Sequence, residues 1–306
     1  MSTIFDQLSS PNPAAPAFRP GDFKGREGLV RNMLRRLERG ESLSLVGGPK
    51  LGKTSLLLHL AWQLNHAGPS SKSTGPPALY VDIADETDWK RFHSRPPNPD
   101  TILLLDNCDR LVEGKTCSLS DIDLLPGGST VFAGARAWRE VVREGNLPHT
   151  LKLIPLPVFL EKEAQQLFNP DLSTEQQATV FTYAGTHPYI FKLFQAAFLH
   201  EEIHFPTEQI VSEVKKSLSS FFQDCINQLR EPLEHQVLTF VIGANKPVNP
   251  REVARAVGLP TIKPVADTLC TLGLVSRWIR DEEATLSAGS RLFNEWYREL
   301  GGLPKI

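Results

Sequence analysis

The run Gly47-Gly48-Pro49-Lys50-Leu51-Gly52-Lys53-Thr54-Ser55 fits the spacing G-x-x-x-x-G-K-[ST], and each residue type in it answers a need of phosphate chemistry. A phosphate chain carries several negative charges. A loop with glycine at both ends can turn its backbone N–H groups inward, while the helix that follows presents its positive N-terminal end. Lys53 would reach the β- and γ-phosphates, and the Thr54 hydroxyl would ligate Mg²⁺. So short a pattern also arises by accident in Gly-rich turns, and context separates the two cases. Here an apolar run (Leu43, Leu45, Val46) precedes it and a helical pattern (Leu56, Leu57, Leu60, Ala61, Leu64) follows, so the setting is strand, loop, helix.

A second chemical group lies downstream. Thr101-Ile102-Leu103-Leu104-Leu105-Asp106 reads as a strand buried on both faces of a parallel sheet, with an acid at its carboxyl end. Ligands of open α/β sheets bind at that end, so Asp106 is expected beside Thr54 and the metal. The next residue is Asn107, which can position a water but cannot take its proton at neutral pH. Asp109 lies two residues further on.

The elements that must carry these groups follow from periodicity and turn chemistry. Residues 1–20, with Pro11, Pro13, Pro16 and Pro20, read as an extended lead-in. An amphipathic helix with Leu29, Val30, Met33, Leu34 and Leu37 on one face stops at Gly40 and feeds a first strand, Ser42 to Val46. A flexible loop, Gly68 to Pro77, leads to a second strand at Ala78 to Ile83, and further strands are expected at Thr130 to Ala133 and Leu151 to Pro155. Five strands with helical connections predict an α/β domain over residues 21–157. Residues 158–230 read as helices: Glu161 to Phe168, one opened by a Ser173/Gln176 capping box, one opened by Pro188, and a long one carrying Ile210, Val214, Leu218, Phe221, Cys225 and Leu229 in register. Residues 231–306 predict three helices, a hairpin around Asp281-Glu282-Glu283 and a closing helix, the layout of a winged helix-turn-helix.

Composition bounds the partners. The chain has 306 residues, 41% of them hydrophobic, and a net charge of −2, so no global electrostatic case exists for nucleic acid or an anionic membrane. Four cysteines (Cys108, Cys117, Cys225, Cys270) without C-x-x-C pairing suit structural thiols in a reducing cytosol. No apolar run approaches bilayer length and the N-terminus lacks a signal pattern, so a cytoplasmic location is expected.

Four motifs together resemble the STAND branch of AAA-related P-loop ATPases, close to the archaeal and bacterial AAA-like ATPases and more distantly to origin-recognition initiators. They are the Phe23-x-Gly25-Arg26-Glu27 box, the P-loop running into Ser55-Leu56-Leu57, the strand end at Asp106, and Gly185-Thr186-His187-Pro188-Tyr189. The resemblance implies a sheet in the order 5-1-4-3-2, a helical lid, and adenine held between Gly25-Arg26 and the lid, with Pro188 touching the base. It also implies that Arg136 reads the γ-phosphate. Each assignment has a plain structural alternative. Pro188 also suits the first position of a helix and Gly185 the end of the one before it. His187 has no partner at metal spacing, and Arg139 or Arg143 could complete a neighbour's site only in a homo-oligomer.

The reading that follows is an ATP- and ADP-binding switch with Mg²⁺, weak as an ATPase because of Asn107, whose output is contact with a partner protein. Asn107→Glu is expected to raise turnover. The alternative is a DNA-associated initiator or transposition regulator using the winged helix. Over residues 261–300 the basic residues Lys263, Arg277, Arg280, Arg291 and Arg298 face the acids Asp267, Asp281, Glu282, Glu283, Glu295 and Glu299, a balance that favours protein contacts over duplex DNA.

Overall fold

The computed structural model describes residues 23–66, 76–95, 97–113, 128–145, 151–199, 206–280 and 283–301. The lead-in at 1–20, most of the loop at 68–77, Cys117 and the hairpin tip at Asp281-Glu282 lie outside the described residues. By Cα proximity the described chain divides into two compact units. One holds Pro16–Gly48 and Gly52–Leu156, the other Pro157–Ile306 with Pro49–Leu51.

In the first unit, helix α1 (Glu27–Leu37) buries Val30, Met33 and Leu37 at the predicted three-to-four-residue spacing. Strand β1 (Leu43–Val46) is buried throughout and leads into α2 (Lys53–His66). Then come β2 (Ala78–Asp82), α3 (Glu86–Ser94), β3 (Ile102–Asp106), α4 (Asp109–Glu113), β4 (Thr130–Gly134), α5 (Arg136–Glu144) and β5 (Lys152–Pro155). All strand pairs are parallel, in the order β2-β3-β4-β1-β5, which is 5-1-4-3-2 read from the other edge. The fully buried, mostly apolar strands β1, β3 and β4 take the interior positions, because helices cover both faces there and leave little room for polar residues that lack an internal partner. Strand β2, in which only Val81 is fully buried, sits at an edge. A buried cluster of Val46, Val81, Leu103, Leu105, Phe132 and Trp138 fills one face, and the Trp138 indole N–H reaches a partner in Ser44 Oγ at 3.0 Å.

The second unit contains α6 (Glu161–Gln165), α7 (Thr174–Ala184), α8 (Pro188–Leu199), α9 (Thr207–Ser217), α10 (Ser219–Asn227), α11 (Pro232–Ala244), α12 (Pro250–Ala256), α13 (Lys263–Thr271), β6 (Val275–Arg280), β7 (Glu283–Ala288) and α14 (Arg291–Glu299). The single long helix expected from Ile210 to Leu229 is two helices. The break is at Leu218, which ends α9 and begins α10, and its fully buried side chain sits in the same core as both. Apolar spacing reports which face is buried and is silent on a bend within that face. Strands β6 and β7 pair antiparallel, as the hairpin reading requires.

One hydrophobic cluster runs from Phe159 to Tyr297 and so crosses residue 230. Within it the turn after α7 meets the end of β7 backbone to backbone. A Cβ on Gly289 would lie 2.1 Å from the Gly273 carbonyl oxygen, and one on Gly185 would lie 2.9 Å from that of Gly289. No side chain fits between these strands of backbone.

Candidate functional site

The site is built at the carboxyl ends of the strands in the first unit, where α/β sheets bind ligands. The P-loop leaves β1 at Gly47, whose Cβ, if present, would lie 2.8 Å from the Leu156 carbonyl, so only glycine lets the loop turn there. Lys50 and Gly52 both have positive φ, +57° and +92°, before α2 starts at Lys53. The Lys53 ammonium folds back over the loop and donates to the carbonyls of Gly47 and Gly48, each at 2.9 Å. Its neighbour Thr54 donates its hydroxyl to Asp106 Oδ2 at 2.6 Å. Ser55 is half-buried on α2, and Leu51 is fully buried. Arg26 is buried as well, with one guanidinium nitrogen 3.6 Å from where a Gly52 Cβ would stand, so the Gly25-Arg26 box lies against the P-loop. Gly25 holds φ +86° and donates its N–H to Glu27 Oε1.

Asp106 is 1% exposed and meets three donors. Oδ2 accepts from Thr54 and, at 3.1 Å, from the Tyr80 hydroxyl; Oδ1 accepts from the Asn107 N–H at 2.9 Å. Burial pushes its carboxyl above the usual carboxylate range, opposed by the bonds from Thr54 and Asn107, the Lys53 charge and the bond from Tyr80. The Tyr80 phenol is pushed up in turn, by burial first and then by the charges of Asp106 and Asp82, so it remains a donor. Two hard oxygens converge at Thr54 and Asp106, and this donor set fits Mg²⁺, which takes one or two protein oxygens and completes its shell with water and phosphate.

Asn107 stands at φ +58°, and its Nδ2 donates to Asp82 Oδ1 at 2.8 Å. Asp109 is otherwise engaged. Its two carboxylate oxygens accept from the N–H groups of Ala135 (2.6 Å) and Trp138 (3.0 Å), capping α5. A carboxylate committed to the start of α5 is ill placed to replace the acid missing at Asn107. Arg136 begins that helix, is buried, and donates Nε to Glu140 Oε1 at 2.7 Å in its own helix. Pro188 belongs to the second unit, where it is buried and opens α8 after Gly185 (φ +56°).

Tyr80 and Asp82 were missed from the sequence. Their two-residue spacing puts both on one face of β2, and an acid ending an apolar strand is the same signal that singled out Asp106. What the sequence lacks is the register, Asp82 opposite Asp106, that brings the two ends together.

The first unit therefore has the P-loop NTPase fold. No family model matches the chain, and no curated protein matches it. Among solved structures it is similar to a Walker-type ATPase of Pyrococcus abyssi, at 12% identity and TM-score 0.59, with 93% of this chain and 98% of that one covered. It is also similar to the ORC2 protein of Aeropyrum pernix, solved in ADPNP and ADP complexes, at 12% identity and TM-score 0.54, with 96% and 99% covered. At such identity the likeness is one of fold. No helix among the described residues is long and apolar enough to cross a membrane.

Proposed function

We propose that this chain binds ATP and ADP with Mg²⁺, hydrolyses ATP slowly, and acts as a STAND-type switch that signals through a partner protein. The observation that carries this reading is the 2.6 Å bond between the Thr54 hydroxyl and Asp106, made beside the Lys53 ammonium at the end of a parallel sheet. Lys53 would neutralise the terminal phosphates, with the backbone of Gly47 to Gly52 around the chain of phosphates. Thr54 and Asp106 would hold Mg²⁺, which would supply positive charge to offset the charge that develops on the phosphates. Arg26 adds positive charge beside the loop, while Pro188 at the base and Arg136 at the γ-phosphate enter through the family resemblance. Slow turnover follows from Asn107, whose amide cannot act as a base, and from the engagement of Asp109 elsewhere.

Calorimetry with ATP and ADP tests the binding half of the reading. Absence of Mg²⁺-dependent binding would refute it. Phosphate release well below the 1 s⁻¹ that roughly marks ordinary enzymes is expected for the hydrolysis half.

The second reading, a DNA-associated ATPase, draws on the order α11-α12-α13-β6-β7-α14, which suits a winged helix over 231–306 beside a lid at 158–230, and on the fold likeness to ORC2. Three of the basic residues there are engaged within the fold, while Lys246, Arg251, Arg255 and Lys263 are exposed. Arg277 pairs with Asp267 at 2.8 Å, Arg291 with Glu295 at 2.8 Å, and Arg298 donates to Asn294 and to the carbonyls of Ile242 and Gly243. Phosphate contacts dominate affinity for DNA, so weak duplex binding is expected. Submicromolar affinity at physiological salt with a steep salt slope would favour the second reading.

A further inference from the structure

The second unit has a cavity of its own, with a volume of about 520 Å³, lined by Asn245 at the end of α11 and by Arg291, Asn294, Glu295 and Arg298 of α14. Spacing of three and four residues puts those four side chains on one face of the helix, opposite the buried Leu292, Phe293, Trp296 and Tyr297. Both arginines are already braced. Arg298 donates Nε to Asn294 Oδ1 at 2.7 Å and Nη2 to the carbonyls of Ile242 (2.7 Å) and Gly243 (3.3 Å) at the end of α11. Arg291 donates Nε to Glu295 Oε1 at 2.8 Å, and its guanidinium lies over the Tyr183 ring, 4.8 Å from the centroid. A guanidinium carries five N–H donors, so Nη1 of Arg298 and both terminal nitrogens of Arg291 have no protein acceptor among the described residues. Asn245 caps α11 at φ +53°, is exposed, and makes no side-chain bond within the described residues. The next residue, Lys246, is exposed and adds positive charge at the rim.

We propose that this cavity binds an acidic segment of a partner protein: a carboxylate side chain takes the unused donors of Arg291 and Arg298, and the peptide main chain pairs with the amides of Asn245 and Asn294. It rests on the reading of the chain as a switch that signals through a partner protein, and it supplies that partner's chemistry. Guanidinium meets carboxylate through parallel N–H···O bonds, and arginines held by other bonds lose little freedom on binding. The volume lies within the roughly 300–1,000 Å³ of ligand pockets. Every lining residue is polar, so an apolar ligand would gain nothing there. The acceptors separate a peptide from a nucleic acid. A phosphodiester backbone offers acceptors alone, so Asn245 Oδ1 would stay idle and the Glu295 carboxylate would repel it. A peptide offers both N–H and C=O, which a carboxamide answers with its own C=O and NH₂. Duplex binding also draws on roughly six to ten phosphate contacts, more than two braced guanidinium groups can make.

Solution NMR on the whole chain tests this with four probes: a capped peptide alternating glutamate and glycine, its glutamine-glycine counterpart, inorganic phosphate, and a DNA duplex. The reporters are the side-chain NH₂ signals of Asn245 and Asn294 and the Nε–H signals of Arg291 and Arg298, assigned by substitution. The acidic peptide should move all four with one dissociation constant of about 1 mM or tighter, at least about tenfold below that of the glutamine peptide. Arg291→Gln and Asn245→Gly should each weaken it about fivefold, and glycine accepts the left-handed turn at 245. Arg298→Lys keeps the charge but loses the fork, and should weaken it as much; the other two variants carry the test if this one does not fold. Arg255→Ala, outside the lining, should stay within about twofold. Unmoved signals, equal affinity for the two peptides, or wild-type affinity in both Arg291→Gln and Asn245→Gly would overturn the proposal. Phosphate binding as tightly as the acidic peptide would leave a plain anion site, and tighter binding of the duplex at the same residues would favour nucleic acid; either result overturns it too. A chain that binds the acidic peptide as expected but no nucleotide refutes the switch reading and upholds the site.

Discussion

The sheet end at Asp82, Asp106 and Asn107 and the glycine junction at Gly185, Gly273 and Gly289 are both crowded, for opposite reasons. At the sheet end, polar side chains fill the space, and the bonds from Thr54, Tyr80 and the Asn107 amide run between side chains that could be exchanged for others of similar size. At the junction there are no side chains, and backbone lies against backbone. The first arrangement accepts strain and buried charge that a purely structural region would not keep, as regions built for chemistry commonly do. The second packs backbone against backbone within one unit. Substitutions at the sheet end should therefore change function more than stability, and substitutions at the junction the reverse.

The largest effect is expected at the junction. Gly289→Ala puts a Cβ 2.1 Å from the Gly273 carbonyl, and because the obstacle is backbone it cannot rotate away. A loss of about 3 kcal/mol or more is expected from overpacking of this kind, read as a fall in the urea midpoint. Unchanged stability would show that β7 and α13 can separate without cost.

Lys53→Ala should do the opposite. Removing the ammonium over the P-loop carbonyls is expected to weaken ATP and ADP binding at least about tenfold, or ~1.4 kcal/mol, while nucleotide-free stability stays within about 0.5 kcal/mol. Equal affinities by calorimetry in variant and wild type would remove the phosphate assignment.

Asn107→Glu sharpens the contrast, because structure reverses the expectation drawn from sequence. Glutamate at φ +58° is strained by about 1 kcal/mol, loses the bond to Asp82, and sets a third carboxyl beside Asp82 and Asp106. Stability should drop, more than in Asn107→Gly, and turnover should fail to rise. A stable, faster Asn107→Glu would mean that the turn relaxes and that the acid alone was missing.

The smallest effect concerns pH. Asp106 has a folded pKa above its ordinary 3.8, so the folded state holds the proton more tightly than the unfolded one. Stability from this group is greatest below about pH 4 and declines as pH rises through the folded value. In chelator-containing buffer, the stability of wild type relative to Asp106→Ala should decrease between pH 4 and pH 7. A constant difference would place the buried acid outside the stability balance.

What the sequence alone determined is local or periodic. The P-loop is legible because its spacing, its glycines and the strand and helix beside it are contiguous, and their geometry is set by neighbouring residues. The interior strands are legible because a strand covered on both faces is mostly apolar, and Asp106 stands out as the acid that ends one. The parallel order 5-1-4-3-2 came from family resemblance rather than from the residues themselves. Only the tertiary structure decided the rest. Tyr80 and Asp82 join Asp106 and Asn107 across a register between β2 and β3 that no short-range signal specifies. Asp109 could have faced the site by its position in the chain, and the approach of α5 claimed it as a cap. The bend at Leu218 and the contact of Gly273 with Gly289 have the same origin. Each depends on how distant segments pack, and hydrophobic spacing along one segment carries no information about where another will lie.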